Sequence, residues 1–227
     1  VFGADAREFH LQVPFLDWKG RTVAALAERV TAGRFLEARE RVGALRALGF
    51  EIAWEEVAAA SVGTAPLGVK IAQVLLDKTS GRGAPYPAAL EAYLIEDKRD
   101  FGPYFFYRDY FAEGKPAFVP KRHVPLVEVL AALPGLGGVA VLSHPGAYFQ
   151  NTTAEDLAAL KERGLAGVEV YSSYHTAEQV ALYKELARAL DLVATAGSDF
   201  HGRIKPNVAF GSLRDGDYGM VEALRKK

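Results

Sequence analysis

Residues 139–146, Val139-Ala140-Val141-Leu142-Ser143-His144-Pro145-Gly146, decide how the rest of the chain is read. A short apolar run closed by a His-Pro-Gly turn has the length and composition of a buried strand with its C-terminal end at a bend. Downstream, Thr153 to Arg163 reads as a helix, with Thr153 as N-cap and Glu155 and Asp156 in its first turn. Gly167 to Tyr171, GVEVY, is the next strand, Thr176 to Leu190 the next helix, and Leu192 to Ala196, LVATA, a third strand. This alternation predicts parallel strands with right-handed crossovers, and so an α/β fold.

Upstream the pattern differs. Arg7 to Leu16, REFHLQVPFL, alternates Phe9, Leu11 and Val13 with polar residues and reads as a strand. Thr22 to Leu48 has apolar residues at helical spacing, with Gly33 expected between two helices and Gly49 as a C-terminal stop. Ile52 to Ala60, Val69 to Asp77 and Ala88 to Ile95 read as short helices joined by turn-rich connections. Phe50 to Arg122 therefore reads as a helical insert in an α/β body.

The chain has 227 residues, half of them hydrophobic and 24% charged, with a net charge of −1. Such a balance gives no field that would gather nucleic acid over the whole surface. Cysteine is absent, which excludes disulfides, thiolate zinc sites and cysteine nucleophiles and fits a cytoplasmic protein. No apolar run approaches the roughly 20 residues that span a bilayer. Asp5, Arg7 and Glu8 interrupt the start of the chain, so no signal peptide is expected.

Three of the five histidines stand at or just beyond the C-terminal end of an expected strand: His144, His175 and His201. In α/β barrels and open parallel sheets that edge gathers ligands and catalytic groups. Imidazole and carboxylate are the usual ligands of hydrolytic Zn, Mn or Fe sites, and they are the strong ones left without cysteine. In Gly197-Ser198-Asp199-Phe200-His201, an extended backbone would point Asp199 and His201 to one side, where they could serve adjacent metals. Gly197 would allow a sharp turn there. An Asp-x-His pair alone reads as a solvated turn; with His144, in this order and after strands, it reads as a metal site. His123, in Lys121-Arg122-His123, reads as a surface histidine in a basic cluster.

Ser143 to Gly146, Gly167 to Tyr171 and Gly197 to Gly202 together resemble the PHP (polymerase and histidinol phosphatase) family of metal-dependent phosphoesterases, especially its stand-alone members. Gly114 to Val119, GKPAFV, is similar to a segment that follows the helical insert in those members. The resemblance implies a distorted (β/α)7, TIM-like barrel from residues 1–49 and 123–227, a helical insert over 50–122, and two or three divalent ions (Mn, Zn or Fe) at the strand ends. It implies His144, Asp199 and His201 as metal ligands, the last two serving different metals. His10, within REFHLQV, resembles a further ligand histidine; its other reading is a strand histidine on a polar face. Gln12-Val13-Pro14 stands where the family often has Leu-Gly. The family's opening HxH pair, Asp, Asp-His pair and Gly-x-Glu do not occur here, and the expectation is that they precede Val1. Lys70 takes the place of a substrate-side histidine of the insert, either as a point charge for phosphate or as a solvated helix lysine.

The implied activity is hydrolysis of a phosphate monoester, of a nucleotide or related small molecule, by a metal-activated hydroxide. His175 at the rim would donate to a phosphate oxygen or protonate the leaving oxygen. Lys70 and Arg203 are the candidate substrate-binding cations. One alternative is a 5′-3′ exonuclease on short oligonucleotides, with Lys115, Lys121, Arg122, Arg203 and Lys205 as a basic path and Phe101 to Phe111 either stacking bases or packing the insert core. The other is a non-catalytic scaffold that kept the fold.

Overall fold

The computed structural model describes residues 1, 3, 7–95, 101–122, 124–202, 208–213 and 215–227. His123, Arg203 and Lys205 lie outside the described residues. The described elements are, in chain order, β1 (Leu11–Gln12), α1 (Arg21–Ala47), α2 (Trp54–Ala59), α3 (Gly68–Gly81), α4 (Ala88–Leu94), α5 (Gly102–Phe106) running into a π-helical turn at Tyr107–Phe111, α6 (Leu126–Leu136), β2 (Ala140–Leu142), α7 (Ala154–Glu162), β3 (Leu165–Ser172), α8 (Ala177–Ala189), β4 (Val193–Gly197) and α9 (Tyr218–Arg225). They divide into two units, Val1–Leu26 with His123–Lys227, and Ala27–Arg122.

In the first unit the strands form one sheet in the order β1-β2-β3-β4. β2, β3 and β4 are parallel, as the strand–helix rhythm predicts. β1 is antiparallel to β2, with Leu11 opposite Leu142 and Gln12 opposite Val141. The strand expected over Arg7–Leu16 shortens to two ladder residues. Pro14 has no N–H to offer a ladder, and Phe15 takes φ 64°, which turns the chain away. Against the expected closed seven-stranded barrel, the described residues form an open four-stranded sheet, with β1 and β4 as its edges.

β3 is buried at every residue but Tyr171, as befits the interior strand of a parallel sheet covered on both faces. Val168 and Val170 pack with Leu126 and Leu130 of α6, Leu157 and Leu160 of α7, and Tyr183 and Ala187 of α8. Gly167 and Glu169 alternate to the other face, where Leu224 of α9 covers Gly167. Both crossover helices open with reciprocal caps. Thr153 Oγ1 accepts from the Asp156 N–H while Asp156 Oδ2 accepts from the Thr153 N–H, and Thr176 and Gln179 repeat the arrangement. Arg7 grips Asp156 through two bonds of 2.7 Å, and this cation, helped by the cap and opposed by burial, holds the Asp156 carboxyl below the usual range. α6 is an apolar helix with Pro134 near its end and Gly137 at φ 68° closing it.

The second unit is helical. α1 runs through Gly33 without a break. Glycine is needed there for a close approach, since a Cβ would lie 2.7 Å from the Arg122 carbonyl oxygen. Ala38, Val42 and Leu45 of α1 belong to this unit's core, so the unit begins at Ala27, ahead of the insert start expected at Phe50. Part of the aromatic run is core: Phe106 and Phe111 are fully buried, and Phe106 stacks on Tyr110 at 4.3 Å, whereas Tyr104 is exposed. Lys70 is exposed on α3.

Candidate active site

The antiparallel pairing of β1 builds the site. The residue preceding β1 lies beside the C-terminal end of β2, where the Ser143 N–H donates to the His10 carbonyl at 2.9 Å. Two histidines 134 positions apart thereby become neighbours, with His10 Nδ1 at 3.1 Å from His144 Nε2. Gln150, fully buried, braces both chains: its Oε1 accepts from the His10 N–H at 3.1 Å and its Nε2 donates to the Ser143 carbonyl at 3.0 Å. Phe149 sits against both imidazoles, with ring centroids 5.2 and 5.5 Å away. Nothing in the sequence pattern marked Gln150.

Glu169 was within reach of the sequence reading, inside the quoted GVEVY, but had no role there. Its side chain lies beneath His144, 2% exposed. Oε2 accepts from the His144 N–H at 2.7 Å and Oε1 from Gln12 Nε2 at 2.8 Å. Burial pushes its carboxyl up to about 7, with the charge of Asp199 adding to the rise and the two donors opposing it. A charged residue at an inward strand position was the signal that could have found it, since buried carboxylates are rare without a partner.

After β4 the expected extended segment is absent. Asp199 takes φ 53°, so Asp199 and His201 do not follow strand alternation. Asp199 Oδ2 accepts from Tyr174 Oη at 3.0 Å, and Tyr174 in turn lies against His144, centroids 5.0 Å apart. His201 Nδ1 turns to the Asp199 carbonyl at 2.8 Å, and more than half of its side chain is exposed. Gly197 is needed for space rather than for a turn: a Cβ there would overlap the Glu169 carboxylate.

The rim role expected for His175 meets a geometric obstacle. Nε2 accepts from the Gly146 N–H at 3.0 Å, and the hydrogen at Nδ1 goes to the Val170 carbonyl at 2.8 Å. A carbonyl only accepts and an amide N–H only donates, so these partners fix a neutral ring with both nitrogens engaged. Burial lowers its pKa, which also favours the neutral form.

Two imidazole nitrogens on a tetrahedral metal, each about 2.0–2.1 Å from it, stand about 3.3 Å apart, so the His10–His144 pair fits a shared divalent ion. Among the described residues no group of three or more His, Asp or Glu converges on one point. A groove of about 420 Å³ on the α9 side of the sheet includes Gln12 and Thr195 but none of His10, His144, Asp199 and His201. Among the described residues, no helix is long and apolar enough to cross a membrane.

No family model matches the chain. It is similar to the 3′,5′-nucleoside bisphosphate phosphatase of Chromobacterium violaceum, 33% identical over 97 residues, covering 42% of this chain and 34% of that protein. It is similar also to the phosphoribosyl 1,2-cyclic phosphate 1,2-diphosphodiesterase of Eggerthella lenta, 43% identical over 76 residues, covering 33% of this chain and 28% of that one. The matches thus span about a third of these curated relatives. Among solved structures, a protein from Bifidobacterium adolescentis described as a candidate metal-dependent phosphoesterase superposes with a TM-score of 0.74 and 26% identity, over 95% of this chain and 70% of that one. The resemblance to metal-dependent phosphoesterases read from the sequence is borne out by these relatives.

Proposed function

We propose that this chain carries the active site of a metal-dependent phosphoesterase acting on a phosphate ester of a nucleotide or a related small molecule. The observation that carries the reading is the approach of His10 Nδ1 to His144 Nε2 at the strand ends. The similarity to a phosphatase and a phosphodiesterase of nucleotide-related substrates supports it. His10 and His144 would hold one divalent ion, and Asp199 and His201 would serve the others of a two- or three-ion set of Mn, Zn or Fe, metals suited to imidazole and carboxylate. Ions held there would supply a bound water of lowered pKa and positive charge for the phosphoryl oxygens.

The chain's own groups orient those ligands. Tyr174 Oη aims Asp199 Oδ2, and Gln150 fixes the backbones that carry His10 and His144. His175 ties the Gly146 turn to β3 and, with both nitrogens bonded, has no ring nitrogen left for the leaving group. Lys70 and Arg203 stay in the proposal as cations for the substrate phosphate. A cytoplasmic setting belongs to it as well, supported by a chain without cysteine. The oligonucleotide alternative is the weaker one, with the rings of Phe106 and Phe111 taken up by the helical core and so withdrawn from base stacking.

The test is phosphate release by the full chain with added Mn²⁺, from a nucleoside 3′,5′-bisphosphate and a nucleoside monophosphate, against shortening of a short oligonucleotide. Release from the small substrates is expected, and its loss in Asp199→Ala with the circular dichroism spectrum retained. Preference for the oligonucleotide would select the exonuclease reading. No turnover of any of them, by a protein that binds no metal, would select the scaffold.

A further inference from the structure

We infer that Glu169 is a positioning residue for the metal site, its carboxylate holding the His144 backbone so that the imidazole meets His10. The inference rests on the metal reading above and names a residue that reading does not use. Each carboxylate oxygen already accepts one hydrogen bond, from the His144 N–H at 2.7 Å and from Gln12 Nε2 at 2.8 Å. The first of these bonds is the contact through which Glu169 acts on His144.

Three further observations converge. His144 stands at φ 28°, a sparsely populated conformation for a residue with a side chain, which persists only where its surroundings hold it. The bond from Glu169 is made at that same residue. Through Gln12 and His144 one carboxylate joins β1, β2 and β3, whose pairing brings His10 and His144 together. The space the carboxylate occupies is kept open by Gly197, where any side chain would collide with it. A buried carboxylate is a costly way to satisfy a single backbone N–H. Its two oxygens, fixed by two donors, instead set the direction from which the His144 backbone is held.

The measurement is Mn²⁺ affinity by equilibrium dialysis with metal analysis, alongside the melting temperature of the metal-free protein, for the full chain and three variants. Glu169→Ala removes the hold. Glu169→Asp keeps the charge but, one methylene shorter, cannot reach both donors. Glu169→Gln keeps reach and shape without charge, because the Gln12 amide can turn its oxygen to the new donor. Groups that orient metal ligands from behind are worth about 10–100-fold in metal affinity. A loss of that size is expected in Glu169→Ala and Glu169→Asp, with Glu169→Gln close to the parent. Should Glu169→Ala fail to fold, Glu169→Asp carries the comparison. Undiminished Mn²⁺ uptake by folded Ala and Asp variants would overturn the inference alone. Equal losses in the Gln and Ala variants would overturn it too, by assigning the effect to charge and not to the hold on His144. A parent chain that takes up no Mn²⁺ would overturn the metal reading and the inference together.

Discussion

Glu169→Gln should flatten the pH dependence of folding stability in the metal-free protein. The ordinary glutamate value of 4.5 rises to about 7 at Glu169, chiefly through burial. At about 1.4 kcal/mol per pH unit, that difference corresponds to about 3 kcal/mol between the neutral and ionised forms. For an acid whose folded value is raised, the native chain keeps a proton that the unfolded chain has released. The stabilisation is therefore fully present below pH 4.5 and is lost as the pH rises through 7. Glutamine has the shape of the neutral form and never ionises, so it carries no such loss. His175 contributes with the opposite sign, because burial lowers its pKa and its share is lost on acidification. That share is common to both proteins and cancels in their difference. Urea unfolding from about pH 5 to about pH 8, with a chelator present, should show the parent losing about 2–3 kcal/mol relative to the variant. Parallel profiles would refute the reasoning, since they would mean that Glu169 ionises in the sheet at no cost.

Removing the His175 ring leaves the Gly146 N–H and the Val170 carbonyl without their partners, so His175→Ala should cost about 1–3 kcal/mol in thermal unfolding. The acid and alkaline limbs of its pH–rate profile should stay where the parent has them; a lost limb would restore it as the proton donor. In Gly197→Ala the new methyl meets the Glu169 carboxylate, which should destabilise by roughly 1–3 kcal/mol and weaken Mn²⁺ uptake, both read as in the Glu169 series. Phe106→Ala should cost about 3–5 kcal/mol in denaturant unfolding. The exposed Tyr104→Ala should change stability by less than about 0.5 kcal/mol. The reverse ranking would return the aromatic run to the surface.

The sequence by itself determined what depends on neighbours a few positions away. The apolar runs at 139–143, 167–171 and 192–196 are strands because their composition and length suit a buried ladder, and Thr153 and Thr176 start helices because each has a capping partner three residues on. Histidines after strand ends could be read as site candidates for the same local reason. Tertiary structure alone decided the direction of β1, and with it the meeting of His10 and His144. Strand alternation reads the same whether a neighbour runs parallel or antiparallel. Likewise, no spacing rule shows that Gly33 makes room for the Arg122 backbone, or that Phe106 faces a core instead of a ligand. Glu169 and His175 changed standing for one physical cause: a side chain's chemistry depends on which donors and acceptors surround it and how much water remains. At these two positions the partners come from strands and turns far away in the chain, placed by folding.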